Sequence, residues 1–143
     1  MARRCGRWQS RGVASARRIW FRLLGRTLNP VTLRLARACV GPFTIVRHRG
    51  RTSGLERETP IIVGRLGKDA VVELTYGEGV QWYRNVVAAG GCELVRGRWL
   101  ATVVAIESLS AEEGLAAFGG ARAAVLRLLR RHEFRRFVTA GAR

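Results

Sequence analysis

The chain of 143 residues is poor in the residues that staple or metallate small proteins, with three cysteines (Cys5, Cys39, Cys92) and two histidines (His48, His132). The cysteines are odd in number, far apart and in no C-x-x-C pair, which argues against a disulfide framework and against a zinc site. Two histidines leave little for any other metal centre. Three prolines are too few for a long disordered linker. No apolar run approaches the roughly 18 residues of a membrane span, and Arg22 and Arg26 interrupt the apolar patches after Arg17 and Arg18, spoiling a signal-peptide core. The expected location is therefore cytoplasmic, at most peripheral on the inner face of the membrane.

Lysine is nearly absent as well. Lys68 is the one lysine among 26 basic residues, and against 10 acids they give a net charge of +16. Such a balance ordinarily points to nucleic acid, anionic membrane or an anionic ligand. Ala, Gly, Val and Leu dominate the remainder, however, as a GC-rich coding sequence produces without selection for binding, so position carries more weight than total. Residues 1–37 hold ten arginines and no acid, residues 38–110 nine bases and seven acids, and residues 111–143 seven bases and three acids. A basic arm and a milder basic C-terminus thus flank a nearly neutral middle. The 48% apolar content, in a chain of about one domain's length, suffices for a single core and excludes a two-domain enzyme.

Residues 1–16 have no periodicity and read as a disordered basic tail, leaving 17–143 as one domain. Trp20, Leu23, Leu24 and Leu28 predict one helix, and Pro30 with Val31 and Leu35 a second, giving N-terminal amphipathic helices over 17–40. Their apolar stripe either covers an open end of the core or lies on anionic lipid. From Phe43 the texture changes to short β-branched runs punctuated by glycine, as in a small antiparallel barrel or sandwich. One strand is expected over 43–48, a hairpin over 59–65 and 70–75 about Leu66-Gly67-Lys68-Asp69, and another over 92–95 and 99–106 about Arg96-Gly97-Arg98. Five or so strands result.

Between the hairpins, 80–89 reads as a helix with Val80, Tyr83, Val86 and Val87 on one face, Trp82, Asn85 and Ala89 on a neighbouring stripe, and Gly90-Gly91 as its end. Ser110 and Glu113 form a capping box that opens a helix at Ala111. After Gly119-Gly120 another helix is expected from Ala121 toward Phe137, with Val125, Leu128 and Leu129 inward, so that C-terminal helices span 110–138.

Two segments could carry chemistry. Residues 48–60 join two strands with glycines four apart, three arginines and, between the glycines, two hydroxyls. Gly50 and Gly54 allow tight turns and close backbone approach, so that amides can form an anion nest, and Arg51 and Arg57 offer forked donors for phosphate or carboxylate. A solvated basic hairpin loop fits the same residues equally well. Residues 75–85 run from a strand end (Thr75, Tyr76) through a glycine loop into a helix start (Gln81, Trp82), where free amides favour an anion. Tyr83 lies on the apolar stripe and belongs to the core. Trp82 lies off it and is the better candidate for a site.

Taken together, the order strand, G-R-T-S-G loop (50–54), R-x-x-P (57–60), hairpin, glycine loop, W-Y-x-N helix (82–85), G-G and hairpin closely resembles the deazaflavin-dependent nitroreductase and quinone reductase family, over about residues 43–109. The resemblance implies an α+β, mainly β fold, the split β-barrel of pyridoxamine-phosphate-oxidase and FMN-binding proteins, with peripheral helices. It also implies coenzyme F420, whose reduced deazaflavin gives a hydride to a small-molecule acceptor such as a quinone, enone or nitro compound. Arg51, Thr52, Ser53, Arg57 and Pro60 fall where the family contacts the coenzyme, as do Thr75, Tyr76, Gln81 and Trp82. Pro60, Ile62 and Trp82 could line an apolar slot for the flat ring, and Tyr76 is the candidate proton donor to the reduced acceptor, a purely structural hydroxyl being the alternative. Thr52 stands where the family often has a second basic residue, and Tyr76 at a position that is basic in some relatives. No tyrosine follows Tyr83, whereas nitro-reducing relatives use a C-terminal one, so nitro compounds are the less expected acceptors.

Two other readings compete. Arg122, Arg127, Arg130, Arg131, Arg135 and Arg136 together with the basic arm would suit a nucleic-acid binder, but the barrel strands show no basic face interleaved with aromatics, so no specific nucleic-acid partner is expected. A split barrel can also carry a flavin or haem in place of the deazaflavin. Whether the barrel closes alone or as a homodimer is open at this level.

Overall fold

Two three-stranded meanders form the protein. The computed structural model describes residues 30–142, which places the expected basic tail (1–16) and the first expected helix outside the described residues. β1 (Phe43–Arg49), β2 (Glu56–Leu66) and β3 (Asp69–Glu73) make one meander, and β4 (Cys92–Arg96), β5 (Trp99–Leu109) and β6 (Phe134–Ala142) the other. All pairings are antiparallel, and the sheet closes as β1-β2-β3-β6-β5-β4. The joins between the two halves are short: Ile45–Arg47 pair with Glu93–Val95, and Ala70–Glu73 with Phe134–Phe137. This is the mainly β split barrel with peripheral helices that the sequence leads one to expect.

The helix between the halves, α2 (Gln81–Ala89), ends on Gly90 in the left-handed region (φ 73°), where a side chain would be strained. Tyr83 and Val86 on its inner face plug the barrel among Val46, Val72, Leu94 and Phe137. Residues 30–37 are helical (α1). α3 (Ala111–Phe118) opens on the expected capping box: Ser110 Oγ accepts from the Glu113 amide at 3.2 Å, and the Glu113 carboxylate accepts from the Ser110 amide at 3.1 Å. α3 lies on the outer face of β2, β3 and β6 with α4 (Gly120–Leu128) beside it, and Val71, Leu115 and Phe134 form a second core there. Barrel closure is fixed by the buried Asp69 carboxylate, which accepts from the Thr139 amide (2.9 Å) and from Arg136 Nε and Nη2 (2.9 and 2.6 Å). Those donors, the Thr139 amide first, hold its pKa below the usual carboxylate range against the opposing effect of burial.

Four expectations are corrected. The sheet has six strands among the described residues, and the last of them replaces the end of the helix expected toward Phe137, so the C-terminal helices stop at Leu128 rather than 138. The three-residue spacing of Phe134 and Phe137 imitates a helical stripe, but in an extended chain it puts the two rings on opposite faces. Phe134 lies in the outer core and Phe137 inside the barrel, both fully buried. Finally, α4 faces the core through Ala123 and Leu126, whereas Val125, Leu128 and Leu129, expected inward, are exposed, Leu128 to 82%. Val87 on α2 is likewise exposed, because the helix faces the barrel core through Tyr83 and Val86, with Trp82 packed beside them.

Candidate functional site

A cleft of about 770 Å³ opens where β2, the loop after β3, the start of α2 and the α3–α4 corner meet. That is the size of a small-molecule site. Pro60 and Ile62 line it from β2, Thr75, Tyr76 and Trp82 from the loop after β3 and the start of α2, and Arg122 and Val125 from α4. Trp82 is held edge-on by Tyr83 and Phe137, with ring centroids 5.8 and 6.4 Å away, so packing fixes its ring. Tyr76 sits at the mouth, 67% exposed. The loop carrying Thr75 and Tyr76 is tied down by the segment before β6: Arg131 Nη1 donates to the Thr75 carbonyl (3.0 Å), the Leu74 amide donates to the Glu133 carbonyl (2.8 Å), and Arg135 pairs with Glu78.

The G-R-T-S-G segment forms a closed turn beside α2. Gly54 donates to the Gly50 carbonyl (2.8 Å) and Gly50 to the Leu55 carbonyl (2.9 Å), while Ser53 Oγ accepts from the Leu55 amide (3.4 Å). A Cβ at position 50 would lie 2.4 Å from Ser53 Oγ, so a larger residue there would turn that hydroxyl away. Arg51 anchors the turn: its amide (3.2 Å) and Nη1 (2.9 Å) both donate to Asn85 Oδ1. Asn85 Nδ2 lies 3.2 Å from His48 Nδ1, and His48 Nε2 lies 3.1 Å from Thr59 Oγ1. Because the Asn85 oxygen is taken up by two donors, its nitrogen faces His48, and His48 Nδ1 must accept. His48 is thereby neutral with its proton on Nε2, donating to Thr59. Burial first, and the nearby Arg57 charge second, hold its pKa below the ordinary histidine value. Thr59 lines the cleft, so a polar chain of four residues, with Asn85 and His48 buried at its centre, joins the exposed arginine turn to the cleft wall.

Sequence-predicted residues divide accordingly. Pro60, Ile62, Thr75, Tyr76 and Trp82 converge on the cleft. Arg51, Thr52 and Ser53 form the anchored turn outside its lining, and Gln81 is exposed at the start of α2. Arg57 borders a different, open depression, where basic and acidic side chains neutralise one another: Arg37 and Arg47 both reach Glu58, at 2.5 and 3.0 Å, and Arg49 faces Glu56 at 3.9 Å. Burial and the Glu93 charge push the Cys92 thiol up to about 12, so at neutral pH it is a packing residue and not a nucleophile. Sequence reasoning missed Phe118, Arg122 and Val125 as cleft residues, since nothing local marks a wall supplied by a distant helix. It also missed the His48–Asn85 contact, for which two polar residues on otherwise inward-facing stripes were the available signal.

No protein-family profile and no curated protein matches the chain. Among solved structures, one chain is similar at 13% identity over 78% of this chain and 84% of its own, with a TM-score of 0.52. The crystal structure of the conserved hypothetical protein Rv2991 from Mycobacterium tuberculosis is similar at 11% identity, over 78% of this chain and 81% of its own, with a TM-score of 0.49. A third, described as a domain-swapped dimer, is 18% identical over 87% and 98% of the two chains, with a TM-score of 0.49. At such identities the likeness is one of fold.

Proposed function

We propose that the protein is a deazaflavin-dependent oxidoreductase that uses reduced coenzyme F420 to reduce a small organic acceptor, a quinone or enone in preference to a nitro compound. The observation that carries the reading is the convergence of Pro60, Ile62, Thr75, Tyr76 and Trp82, drawn from two separated motifs, on one apolar cleft. The donor set fits the group: a flat ring suits walls of proline, isoleucine and a packed indole, and an anionic chain suits an anchored arginine turn with free guanidinium donors. When bound, such a coenzyme supplies a hydride from a ring carbon. The apolar walls would exclude water from a bound ring face, the fixed Trp82 ring would orient it, and Pro60 and Ile62 on β2 would position an acceptor beside it. The Tyr76 hydroxyl, at the mouth, can hold a proton for the reduced acceptor.

Titration with oxidised and reduced coenzyme tests this. Binding at tens of micromolar or tighter is expected, weakened by about 1.5–3 kcal/mol in Arg51→Ala. A comparable loss is expected in Trp82→Ala, but with little dependence on salt. Arg130→Ala, which removes the same charge elsewhere, should leave affinity unchanged. Absence of binding, or equal losses in Arg51→Ala and Arg130→Ala, would sink the assignment.

Peripheral membrane attachment belongs to the same proposal. Among the described residues no helix is long and apolar enough to cross a membrane, but α1 exposes Val31 and Leu35 beside Arg34, a combination suited to an anionic interface. Stronger sedimentation with anionic than with neutral vesicles is expected, and it should be lost on removing residues 1–37. Equal partitioning would refute attachment. A homodimer is also part of the reading, to be read from the mass in solution.

A further inference from the structure

The charges around the cleft are unequal in their commitments. Glu73, its one acidic residue, accepts from the Thr75 hydroxyl and faces Arg131 Nε at 3.9 Å, so its charge is offset. Arg122, its one basic residue, sits in the first turn of α4 and makes no hydrogen bond or ion pair among the described residues. A guanidinium above an apolar cleft with aromatic walls is an unfilled half of a charge-assisted pair. Arg122 is exposed at the rim, and arginine's planar fork matches a carboxylate with two parallel donors.

We infer that Arg122 is a specificity-determining residue that makes the cleft select flat aromatic or enone-like organic acids, with the ring between the Ile62 and Trp82 walls and the carboxylate on Arg122. The selection lies in the cleft itself, independent of any coenzyme. The deazaflavin ring proposed above would use the same walls, so an aromatic acid held this way would compete with that ring for the cleft.

The test is calorimetric titration of the full chain with 2-naphthoate and its neutral counterpart 2-naphthamide, alongside Arg122→Gln, Arg122→Lys and, as a control on the same helix outside the cleft, Arg127→Gln. The natural chain should bind naphthoate about tenfold more tightly than naphthamide, the worth of one charge-assisted contact. That preference should disappear in Arg122→Gln, survive in part in Arg122→Lys and persist in Arg127→Gln. Equal affinity for the two probes, no binding of either at millimolar concentration, or a preference that survives Arg122→Gln would overturn the inference. A preference lost equally in Arg127→Gln would assign it to general basicity and overturn it too. Because no coenzyme is present, failure here leaves the coenzyme reading intact, and failure of coenzyme binding leaves this inference intact.

Discussion

Replacing Asn85 with aspartate is expected to raise the pKa of His48 and to reverse how stability responds to pH near the histidine range. In the natural chain the Asn85 amide donates to His48 Nδ1, which favours the neutral ring, and burial and Arg57 push the same way. Since the unfolded histidine titrates near 6.5 and the folded one below it, the unfolded state binds more protons between the two values, and stability rises with pH across that window. An aspartate cannot donate. Its carboxylate facing Nδ1 favours a proton there, lifting the folded pKa above the unfolded one. The variant's added stability is then present below about 6.5 and lost as pH rises through the new folded value. Glu58, Asp69 and Glu113, whose pKa values are lowered from 4.5, 3.8 and 4.5, withdraw their contributions only in more acid solution, so the window belongs to His48. Urea denaturation at about pH 5 and 7.5, with histidine ring proton shifts followed by NMR, reads both quantities. Asn85→Leu removes donor and acceptor together, orphaning the Arg51 amide and His48 Nδ1, and should cost about 3 kcal/mol. An unchanged pH slope in the aspartate variant would show that the Asn85–His48 contact does not set the histidine's protonation.

The polar chain also illustrates what one dimension conveys. Its members were each visible: His48 and Thr59 on the flanks of the arginine loop, Asn85 in the W-Y-x-N helix. Their meeting depends on α2 being folded back against β1, a relation between residues 37 apart that no local pattern encodes. Local signals were reliable where the physics is local. The Ser110–Glu113 box, the Gly90 cap and the Gly67 and Gly97 turns all lie where hydrogen-bond and backbone preferences within a few residues decide the conformation. The strand β6 failed because its decisive property, one phenylalanine on each side of the sheet, imitates a helical period. The end of α4 carries no glycine signal either: Arg130 takes the left-handed conformation (φ 54°), and the chain then reverses into β6. Half of the cleft followed from motif residues on β2, the loop after β3 and α2. The other half, Phe118 through Val125, is placed by the packing of α3 on β2, β3 and β6, and that close approach needs Gly64 under Ala117 and Gly114 over Phe134.

Gly114→Ala is expected to be among the most destabilising single-methyl changes in the protein. A Cβ at position 114 would stand 2.1 Å from Phe134 Cγ and 2.4 Å from Cδ2, far inside contact distance, and Phe134 is fully buried with Leu115 and Val71 about it. The ring cannot swing aside, because Phe118 packs against it at a centroid distance of 6.0 Å, so α3 must lift from the sheet. Overpacking of this kind costs about 3 kcal/mol, which for a domain of this size lowers the melting temperature by roughly 10 °C. Lifting α3 carries Phe118 and α4 with it, so ligand binding in the cleft should fall in step with stability. Gly79→Ala, where an added Cβ meets nothing within 4 Å, provides the comparison and should be nearly silent. The decisive measurement is a double-mutant cycle with Phe134→Leu, whose smaller side chain makes room for the methyl. The pair should then cost at least 1 kcal/mol less than the sum of the singles. Additive losses, or a Gly114→Ala protein as stable as the parent, would mean that α3 does not rest on Phe134 at that point and that the α3–α4 wall of the cleft is held in some other way.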